Sequence, residues 1–510
     1  MLESTNRGPV HERQNPCHPQ KDFQLTKLAQ AAPSHLKLLQ ALSKDAWNAW
    51  DTDYLGISIM KSISFLLAFA ASSFSVSVTS EDDFVPAGAS VYVPHSGPLL
   101  PRGHRGKDNW GNAVAHDRKK VTIRASKNDT DDISDDFLWA LKKANHGGLV
   151  HLKKNHKYVI GKKLDLSFLD DVYVNINGEL KYTNDIKYWQ ANNFYYPFQK
   201  SITFTVWGGK NVKIYSDTGT GVINGNGQAW WDGFSGAEIL DPNNKFYRPI
   251  LFLTDNATNV EVSGLHLKDS PCWTTFLVRT KNVIFDDIYI DAVSTNASSL
   301  PKNTDGFDSL NVDGLTVTNT RVNVGDDCFS PKPNTTNIFV KNLWCNGTHG
   351  VSMGSIGQYP GTYDYISNAW IENVTLLNGQ NGARLKAWAG PDVGYGYIDN
   401  VTYKDIIIEN TDAPVVLDQC YFNINETTCA KYPSKVNITN VNFVNVSGSS
   451  TGKNGKVVAD LTCSPGATCN GIHLENINIT SPAGSPAQIV CENIQGDIGV
   501  DCIPASQADD

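Results

Sequence analysis

The sequence predicts an all-β protein, a right-handed parallel β-helix (a solenoid) with a short N-terminal cap. The main observation is a nine-residue pattern, Asn-Φ-X-Φ-X-(Asn/Gly/Asp)-Φ-X-Φ with Φ apolar, which recurs through the C-terminal half of the chain. Its copies start at Asn259, Asn282, Ser309, Asn337, Asn368, Asn400, Asn440 and Gly471. Each copy is typical of two short strands that meet at a bend. Because strand pairs this short cannot cover their own apolar sides, successive units must stack.

Two further observations favour this fold. Amphipathic helices are scarce, and the best helical candidate is 135–145. Weaker copies of the pattern, such as 211–214, indicate that the solenoid begins before residue 258, after an N-terminal cap. A propeller or a sandwich also uses many short strands and is the structural alternative. Propeller blades, however, repeat at about 40 residues or more with antiparallel hairpins, and most units here are shorter and lack Asn-Gly hairpin signals.

Composition narrows the class of partner. The 510 residues are 40% hydrophobic and 19% charged, which is typical of a folded globular protein. With 43 basic and 52 acidic residues the formal net charge is -9, so nucleic acid is not an expected partner. Small molecules, polysaccharides and proteins remain as the possible partners. Only one segment is apolar enough to be considered as a membrane span, which excludes a polytopic membrane protein.

That apolar segment predicts three regions in the chain. Met60 and Lys61 precede the apolar run 65–71 and a Ser-rich stretch to residue 80, which is typical of a secretory signal peptide. We therefore expect 1–59 to be a doubtful N-terminal extension, 60–80 a signal peptide, and 81–510 a single β-helix catalytic domain that is secreted and extracellular. The alternative is a genuine prefix in which 57–78 acts as a signal anchor.

Acceptor sequences for N-glycosylation agree with secretion. They lie at Asn128, Asn256, Asn296, Asn334, Asn346, Asn373, Asn400, Asn425, Asn437, Asn445 and Asn478.

Cysteine spacing predicts disulfides in an oxidising compartment. Cys17 lies in the doubtful extension, and the other nine cysteines follow residue 271. The expected pairs are Cys328 with Cys345, Cys420 with Cys429, Cys463 with Cys469, and Cys491 with Cys502. Cys272 is then left over, and we expect it to be a buried free thiol. No cysteine or histidine spacing matches a zinc site.

Stacking has a chemical consequence, because equivalent positions on adjacent coils lie about 4.8 Å apart. Counted from the pattern starts, Asp326 and Asp327 lie 17 and 18 residues into the Ser309 coil, while Arg384 and Lys386 lie 16 and 18 residues into the Asn368 coil. Asp305 and His349 directly precede the equivalent strand on two other coils. We therefore expect Asp305, Asp326, Asp327, His349, Arg384 and Lys386 to line one groove. Since neighbours on a regular strand face opposite sides, the backbone must bend near Asp327.

This set of side chains is suited to hydrolysis of an acidic sugar polymer. Inverting glycoside hydrolysis requires a carboxylic acid and a carboxylate about 6.5–9.5 Å apart. Crowded aspartates raise at least one pKa, which keeps a proton available for donation. Arginine and lysine would bind a carboxylated sugar.

At these residues the sequence resembles the polygalacturonases of glycoside hydrolase family 28. The matching segments are NTDGFD at 303–308, GDDC at 325–328, THG at 348–350 and RLK at 384–386, within a likeness that extends over 81–505. The resemblance implies inverting hydrolysis of α-1,4-linked galacturonan with Asp326 as general acid and Asp305 and Asp327 activating water. It further implies that His349 assists the acid, that Arg384 and Lys386 bind the substrate carboxylate, and that Tyr421 shapes the subsite. No metal or other cofactor is expected.

Within this family the likeness is greatest to fungal exo-acting enzymes. We therefore expect release of galacturonic acid from the non-reducing end of polygalacturonate, in a groove closed by the loops 296–302 and 358–365. Thr348 and Leu385 differ from the Gly and Ile that are usual in endo-acting members. The expected partner is pectic polysaccharide or oligogalacturonide, with neither nucleic acid nor a membrane bound by the mature form, which we expect to be a monomer. The alternatives are an endopolygalacturonase or xylogalacturonan hydrolase, a Ca²⁺-dependent pectate lyase, and a noncatalytic glycan-binding β-helix.

Overall fold

The structure is a computed structural model, and it describes residues 117–234, 246–421, 424–466 and 468–508. The predicted extension 1–59, the signal peptide 60–80, Cys17 and the predicted start of the catalytic domain at residue 81 lie outside the described residues.

The described residues wind into a parallel β-helix, which is the predicted fold class. Of the strands in this part of the chain, 26 form one continuous sheet, while β7, β8 and β11 form a separate small sheet. In chain order the strands are β1 (Lys119–Thr122), β2 (Gly148–Leu152), β3 (Lys157–Ile160), β4 (Leu164–Leu166), β5 (Asp170–Ile176), β6 (Glu179–Tyr182), β7 (Phe194–Tyr196), β8 (Ser201–Thr203), β9 (Thr205–Tyr215), β10 (Gly221–Asn224), β11 (Pro249–Ile250), β12 (Phe252–Ser263), β13 (Leu265–Lys268), β14 (Thr275–Val278), β15 (Lys281–Asp286), β16 (Tyr289–Asp291), β17 (Phe307–Leu310), β18 (Val312–Asn323), β19 (Phe329–Pro331), β20 (Thr335–Asn346), β21 (Val351–Ile356), β22 (Tyr363–Leu377), β23 (Asn381–Trp388), β24 (Tyr395–Thr411), β25 (Ala413–Tyr421), β26 (Val436–Ser450), β27 (Val457–Thr462), β28 (Cys469–Thr480) and β29 (Gln488–Glu492).

The α-helices among the described residues are few and short. They are α1 (Ser134–Ala144), α2 (Ile186–Ala191), α3 (Gln228–Phe234) and α4 (Glu426–Lys431). The first confirms the helix predicted at 135–145, with acidic residues in its first turn and lysines in its last turn, as the helix dipole favours. Phe137 of α1 packs on Trp207 with ring centroids 6.4 Å apart, so this helix covers apolar residues of the early coils. Among the described residues, no helix is long and apolar enough to cross a membrane.

The asparagines of the repeated pattern make the bends. Asn337, Asn368 and Asn400 have φ between 56° and 58°, a left-handed conformation that Asn tolerates better than most residues. Their side chains also bond from coil to coil: Asn368 Nδ2 donates to Asn337 Oδ1 at 3.2 Å, and Asn400 Nδ2 donates to Asn368 Oδ1 at 2.9 Å. The pattern therefore records a bend and a hydrogen-bonded ladder at the same position.

One predicted coil start is wrong. Val283 pairs with Leu315, and Leu315 pairs with Ile338, so Gly314 and not Ser309 is equivalent to Asn282 and Asn337. Gly314 has φ 84° and makes the bend without an amide side chain, which hid the position. The shift also changes which residues lie side by side on adjacent coils. Arg384 belongs to the row of Ser330 and not to that of Asp326.

The strands β12, β14, β17, β19, β21, β23 and β25 pair successively along one side of the helix, here called the site face. Alternate residues of each strand point into the core, where Phe307, Phe329, Val351 and Leu385 are fully buried. The remaining residues point outward. In one outward row, Leu253 and Phe276 on the early coils give way to Asp308, Ser330, Ser352 and Arg384 on the later ones.

The structure contains the four expected disulfides, Cys328–Cys345, Cys420–Cys429, Cys463–Cys469 and Cys491–Cys502. The expectation of a free thiol at Cys272 is wrong, because Cys272 is disulfide-bonded and the described residues contain no free cysteine. That expectation paired the nine cysteines after residue 271 only with one another, which leaves one of them over.

Candidate active site

The three aspartates predicted to be catalytic lie together at the N-terminal ends of two neighbouring strands of the site face. Asp305 precedes β17, and Asp326 and Asp327 lie in the bend before β19. Because Phe307 pairs with Phe329, Asp305 and Asp327 occupy equivalent positions on adjacent coils. One carboxylate oxygen from each aspartate lies within 4.8 Å of the others, and all three residues are buried.

The bend resolves the difficulty posed by two adjacent aspartates. Neither Asp326 nor Asp327 belongs to a regular strand, so the alternation of strand side chains does not apply to them. Thr348 fixes this bend from the next coil, where its buried hydroxyl accepts hydrogen bonds from the Cys328 and Gly350 N–H groups at 2.9 Å each. The same hydroxyl donates to the Asp326 carbonyl oxygen at 3.1 Å.

Asp326 is paired with His349. The imidazole Nδ1 lies 3.1 Å from Asp326 Oδ1, and the His349 side chain is 20% exposed, so the pair lies at the solvent side of the site. Burial acts to raise the pKa of Asp326, but the charge and hydrogen bond of His349 outweigh it, and the pKa is lowered. Burial likewise acts to lower the pKa of His349, but the attraction of Asp326 prevails and the pKa is raised. In the unliganded protein the proton of this pair therefore lies on the imidazole.

Asp327 is held in its ionised form. Its Oδ2 forms an ion pair with Lys386, which is itself buried, and its Oδ1 accepts a hydrogen bond from Ser352 Oγ at 2.9 Å. Burial opposes ionisation, but the positive charges of Lys386, Lys332 and Arg384 dominate, so the pKa of Asp327 falls below its usual range.

Asp305 is the opposite case. Burial, with repulsion from Asp308 and Asp326, raises the pKa of Asp305 well above its ordinary value. The nearest cation is Lys332, whose Nζ lies 3.7 Å from Asp305 Oδ2. Among the described residues, Asp305 Oδ1 is buried without a hydrogen-bond partner. Asp305 is therefore the carboxyl group of this cluster that most readily takes a proton.

Arg384 and Lys386 lie on β23 with Tyr421 beside them. The Arg384 guanidinium lies 5.3 Å and the Lys386 ammonium 5.5 Å from the centre of the Tyr421 ring. Lys386 is committed to Asp327, whereas the closest acid to Arg384 is Asp418 at 3.8 Å, beyond hydrogen-bond range. Among the described residues, buried Arg384 Nε has no hydrogen-bond partner. Arg384 is therefore the more available of the two cations for an anionic ligand.

Sequence reasoning missed the buried pair Asp308–Lys332. Asp308 is fully buried, and Lys332 Nζ lies 2.9 Å from its Oδ1 while donating to Ser330 Oγ at 2.7 Å. Burial raises the pKa of Asp308 to about 7, although Lys332 opposes this change. Asp308 belongs to the segment NTDGFD, and its outward strand position could have identified it. Lys332 follows β19 without a local signal.

Arg248 and Asn303 were missed as well. Asn303 Nδ2 donates to Asp326 Oδ2 at 3.4 Å, and Arg248, which is fully buried, donates to Asn303 Oδ1 at 2.9 Å. Asn303 opens the segment NTDGFD, but nothing in the local sequence marks Arg248.

The spacing of Asp305, Asp326 and Asp327 would by itself suit a cation bound by oxygen ligands. However, Lys332, His349 and Lys386 each face one of these carboxylates. Protein cations already lie beside these carboxylates, where a bound metal ion would be repelled by them, so this donor set does not fit a metal site.

We expect Lys332→Met to lower stability mainly above pH 7. Removing the cation raises the pKa of Asp308 further. A carboxyl group whose folded pKa exceeds its unfolded pKa loses stabilisation as the pH rises between the two values. The loss should grow by about 1.4 kcal/mol for each pH unit above 7, the pKa of Asp308 in the parent, so that it is about 1.4 kcal/mol near pH 8 and clearly smaller at pH 4. Urea unfolding at both pH values measures it, with Lys332→Arg as the control that keeps the charge. An equal loss at both pH values would contradict the expectation.

Comparison with known proteins agrees with this site. Residues 155–502 match the model of glycosyl hydrolases family 28. The chain is 66% identical over 440 residues to a probable exopolygalacturonase B of Aspergillus flavus, covering 86% of this chain and 97% of that protein. It is 68% identical over 429 residues to exopolygalacturonase B of Aspergillus niger, covering 82% and 97% respectively.

Solved structures show the same fold. Endo-xylogalacturonan hydrolase from Aspergillus tubingensis superposes with a TM-score of 0.68 at 29% identity, covering 76% of this chain and 99% of that one. A polygalacturonase from Erwinia carotovora superposes with a TM-score of 0.57 at 18% identity, covering 74% and 97%, which supports the fold alone. On the family match and the identity to these relatives, the chain belongs to the glycosyl hydrolases of family 28.

Proposed function

We propose that the protein is a secreted exopolygalacturonase that releases galacturonic acid from the non-reducing end of α-1,4-linked polygalacturonate in pectin by inverting hydrolysis. The observation that carries this proposal is a site face on which charged catalytic groups adjoin a stretch sealed by aromatic side chains. Relatives named exopolygalacturonase B support the same activity. Secretion, a monomeric state and the absence of membrane contact are parts of the proposal that rest on the sequence.

The sealed stretch lies on the early coils. Phe194, Tyr196 and Phe198, here called the aromatic wall, pack over the outward side chains of β12 and β14. Beneath the wall, Leu253 and Phe276 are fully buried and Val278 is 3% exposed. A polymer cannot lie along these coils without displacing the wall.

The aromatic wall is tied to a loop that the sequence predicted as a closing element. Phe198 meets Tyr359 at 5.9 Å, and the Gln199 N–H donates to the Tyr359 hydroxyl at 2.9 Å. Gln199 Nε2 also donates to Gln358 Oε1 at 2.7 Å. The other predicted loop, 296–302, is held by Arg248, which donates to the Lys302 carbonyl oxygen at 2.6 Å. A groove closed on this side would admit a chain end and exclude a continuous chain.

In the proposed reaction a water molecule attacks the anomeric carbon while the bond from that carbon to the glycosidic oxygen breaks. Asp305 and Asp327 hold the water, since two oxygens within 4.8 Å can both accept its hydrogen bonds. Asp305 takes the proton of the water because its raised pKa makes it the better acceptor. Asp327 stays ionised beside Lys386 and orients the water.

Asp326 supplies the proton to the leaving oxygen. Since the proton lies on His349 in the unliganded protein, it must first cross the 3.1 Å contact to Asp326. Binding of the sugar removes water from the pair and disfavours two separated charges, which promotes that transfer. Arg384 binds the substrate carboxylate as a bidentate donor, with Lys386 contributing positive charge and Tyr421 forming a side of the subsite.

Asp326→Asn should abolish hydrolysis of polygalacturonate while leaving folding and secretion intact, because the amide cannot donate the required proton. We expect a fall in kcat of at least about 10²-fold, measured as release of reducing sugar. Thermal unfolding serves as the control for the fold. Full activity in this variant would disprove the role of Asp326 as the acid, and a Ca²⁺-dependent unsaturated product would instead indicate a lyase.

End-labelled oligogalacturonides test the direction of attack. With the label at the reducing end, the first products should be unlabelled galacturonic acid and a labelled oligomer one unit shorter. An oligomer whose non-reducing end is chemically blocked is the matched control and should resist hydrolysis. Early labelled fragments of many lengths would indicate cutting within the chain and contradict the exo assignment.

The anomeric form of the first product tests inversion. We expect β-galacturonic acid to appear first from the α-linked substrate, as followed by proton NMR before mutarotation. Initial appearance of the α-anomer would instead indicate a double displacement through a covalent intermediate.

A further inference from the structure

Four tyrosines form an exposed aromatic surface that the proposed reaction does not use. Tyr363 and Tyr365 at the start of β22 meet Tyr395 and Tyr397 at the start of β24, and these four residues are here called the tyrosine platform. Tyr365 and Tyr397 stack with centroids 5.7 Å apart, and Tyr363 lies 5.3 Å from Tyr395. Tyr363 and Tyr395 remain 49% and 46% exposed, so the platform offers ring surface to a ligand.

A glycosylation acceptor continues this row on the next coil. Tyr365 pairs with Tyr397, and Tyr397 pairs with Asn437 on β26, so these side chains lie side by side about 4.8 Å apart per coil. Asn437 opens the acceptor sequence Asn-Ile-Thr and is exposed. Among the described residues, no hydrogen bond involves its side chain.

Other acceptor asparagines are in a different situation. Five of them use Nδ2 to donate to the preceding coil, as part of the ladders that hold the helix together: Asn334, Asn346, Asn373, Asn400 and Asn445. Asn437 has no such commitment, so a glycan there would not compete with a ladder.

The charges around the platform favour a neutral sugar over a polyuronate. Besides burial and the other tyrosines, the side chains that affect the pKa of Tyr397 are Ser367 on β22 and Asp399 on its own strand. Lys435, which precedes β26, is the neighbour of Tyr395 on the next coil and is exposed. Lys435 and Asp399 carry opposite charges, so these two neighbours of the platform together do not favour an anionic chain.

We propose that the tyrosine platform binds the first N-acetylglucosamine of a glycan attached to Asn437. The apolar face of the sugar ring would lie against the tyrosine rings, which present an apolar body and a polar tip. This inference rests on the secretion contained in the proposed function, because the chain must enter the secretory pathway to be glycosylated. It makes the glycan part of the folded structure and independent of the catalytic groove.

The test uses the full-length enzyme secreted from a fungal host, with occupancy of Asn437 measured by mass spectrometry of its glycopeptide. Asn437→Gln should lower the unfolding midpoint by about 1–3 °C relative to the parent, from loss of an aromatic contact. Asn478→Gln is the matched control, since Asn478 is an exposed acceptor whose paired neighbour on the preceding coil is Ser447. That variant should leave the midpoint unchanged.

A double-mutant cycle isolates the contact. In a Tyr365→Ser, Tyr397→Ser background the effect of Asn437→Gln should vanish, and trimming the glycans to a single N-acetylglucosamine should leave the parent's midpoint unchanged. The inference is overturned if Asn437 is unmodified in the secreted enzyme, if both Asn variants behave alike, or if the Asn437→Gln effect persists without the tyrosines. A weaker affinity of a Tyr397→Ser variant for oligogalacturonide would equally overturn it in favour of substrate binding. Hydrolytic activity should be unchanged in the Asn437→Gln and Asn478→Gln variants, and its absence from the parent would count against the proposed function alone.

Discussion

In-register stacking of the coils is the constraint on which the rest of the structure depends. Because each residue lies about 4.8 Å from its equivalents on the neighbouring coils, one local sequence choice is repeated as a row along the helix. Asparagines at the bends become hydrogen-bonded ladders, as between Asn368 and Asn400. At the site face the same rule brings Asp305 and Asp327 to equivalent positions, although 21 intervening residues separate them in the sequence.

Stacking of like charges is costly, and the site shows how the protein offsets that cost. Asp305, Asp308, Asp326 and Asp327 are all buried within two coils, where isolated carboxylates would be strongly destabilising. Long basic side chains reach these coils from positions further along the strands, as Lys386 does toward Asp327 and Lys332 toward Asp308. The basic side chains do not offset the negative charge of each aspartate equally. Asp327 is kept ionised, whereas the pKa of Asp305 is raised. Two adjacent carboxylates can therefore take different roles in one reaction.

The sequence predicted those parts of the fold and site that repeat or belong to compact motifs. The bends at Asn337 and Asn368 were visible because Asn at a left-handed bend has few substitutes, whereas Gly314 made the same bend without that signature and the coil was misplaced at Ser309. Lys332 was missed because its importance arises only from contacts with another coil. The aromatic wall was missed because Gln199 and Gln358 meet across 159 residues of sequence, a separation that no local pattern records.

The change from apolar to polar side chains along the site face links the fold to the choice between a chain end and a continuous chain as substrate. A β-helix is translationally regular, so its outer surface provides no natural end for a polymer-binding groove. An end must be made by breaking the regularity, and here Leu253 and Phe276 replace the polar residues found further along the same row. Apolar side chains there require a cover, which β7 and the residues after it supply through Phe194 and Phe198. The cover lies directly beside the coil that carries Asp305 and Asp308. A sugar bound at these carboxylates would thus have room for further units only toward Arg384, which is the geometry that attack at a chain end requires.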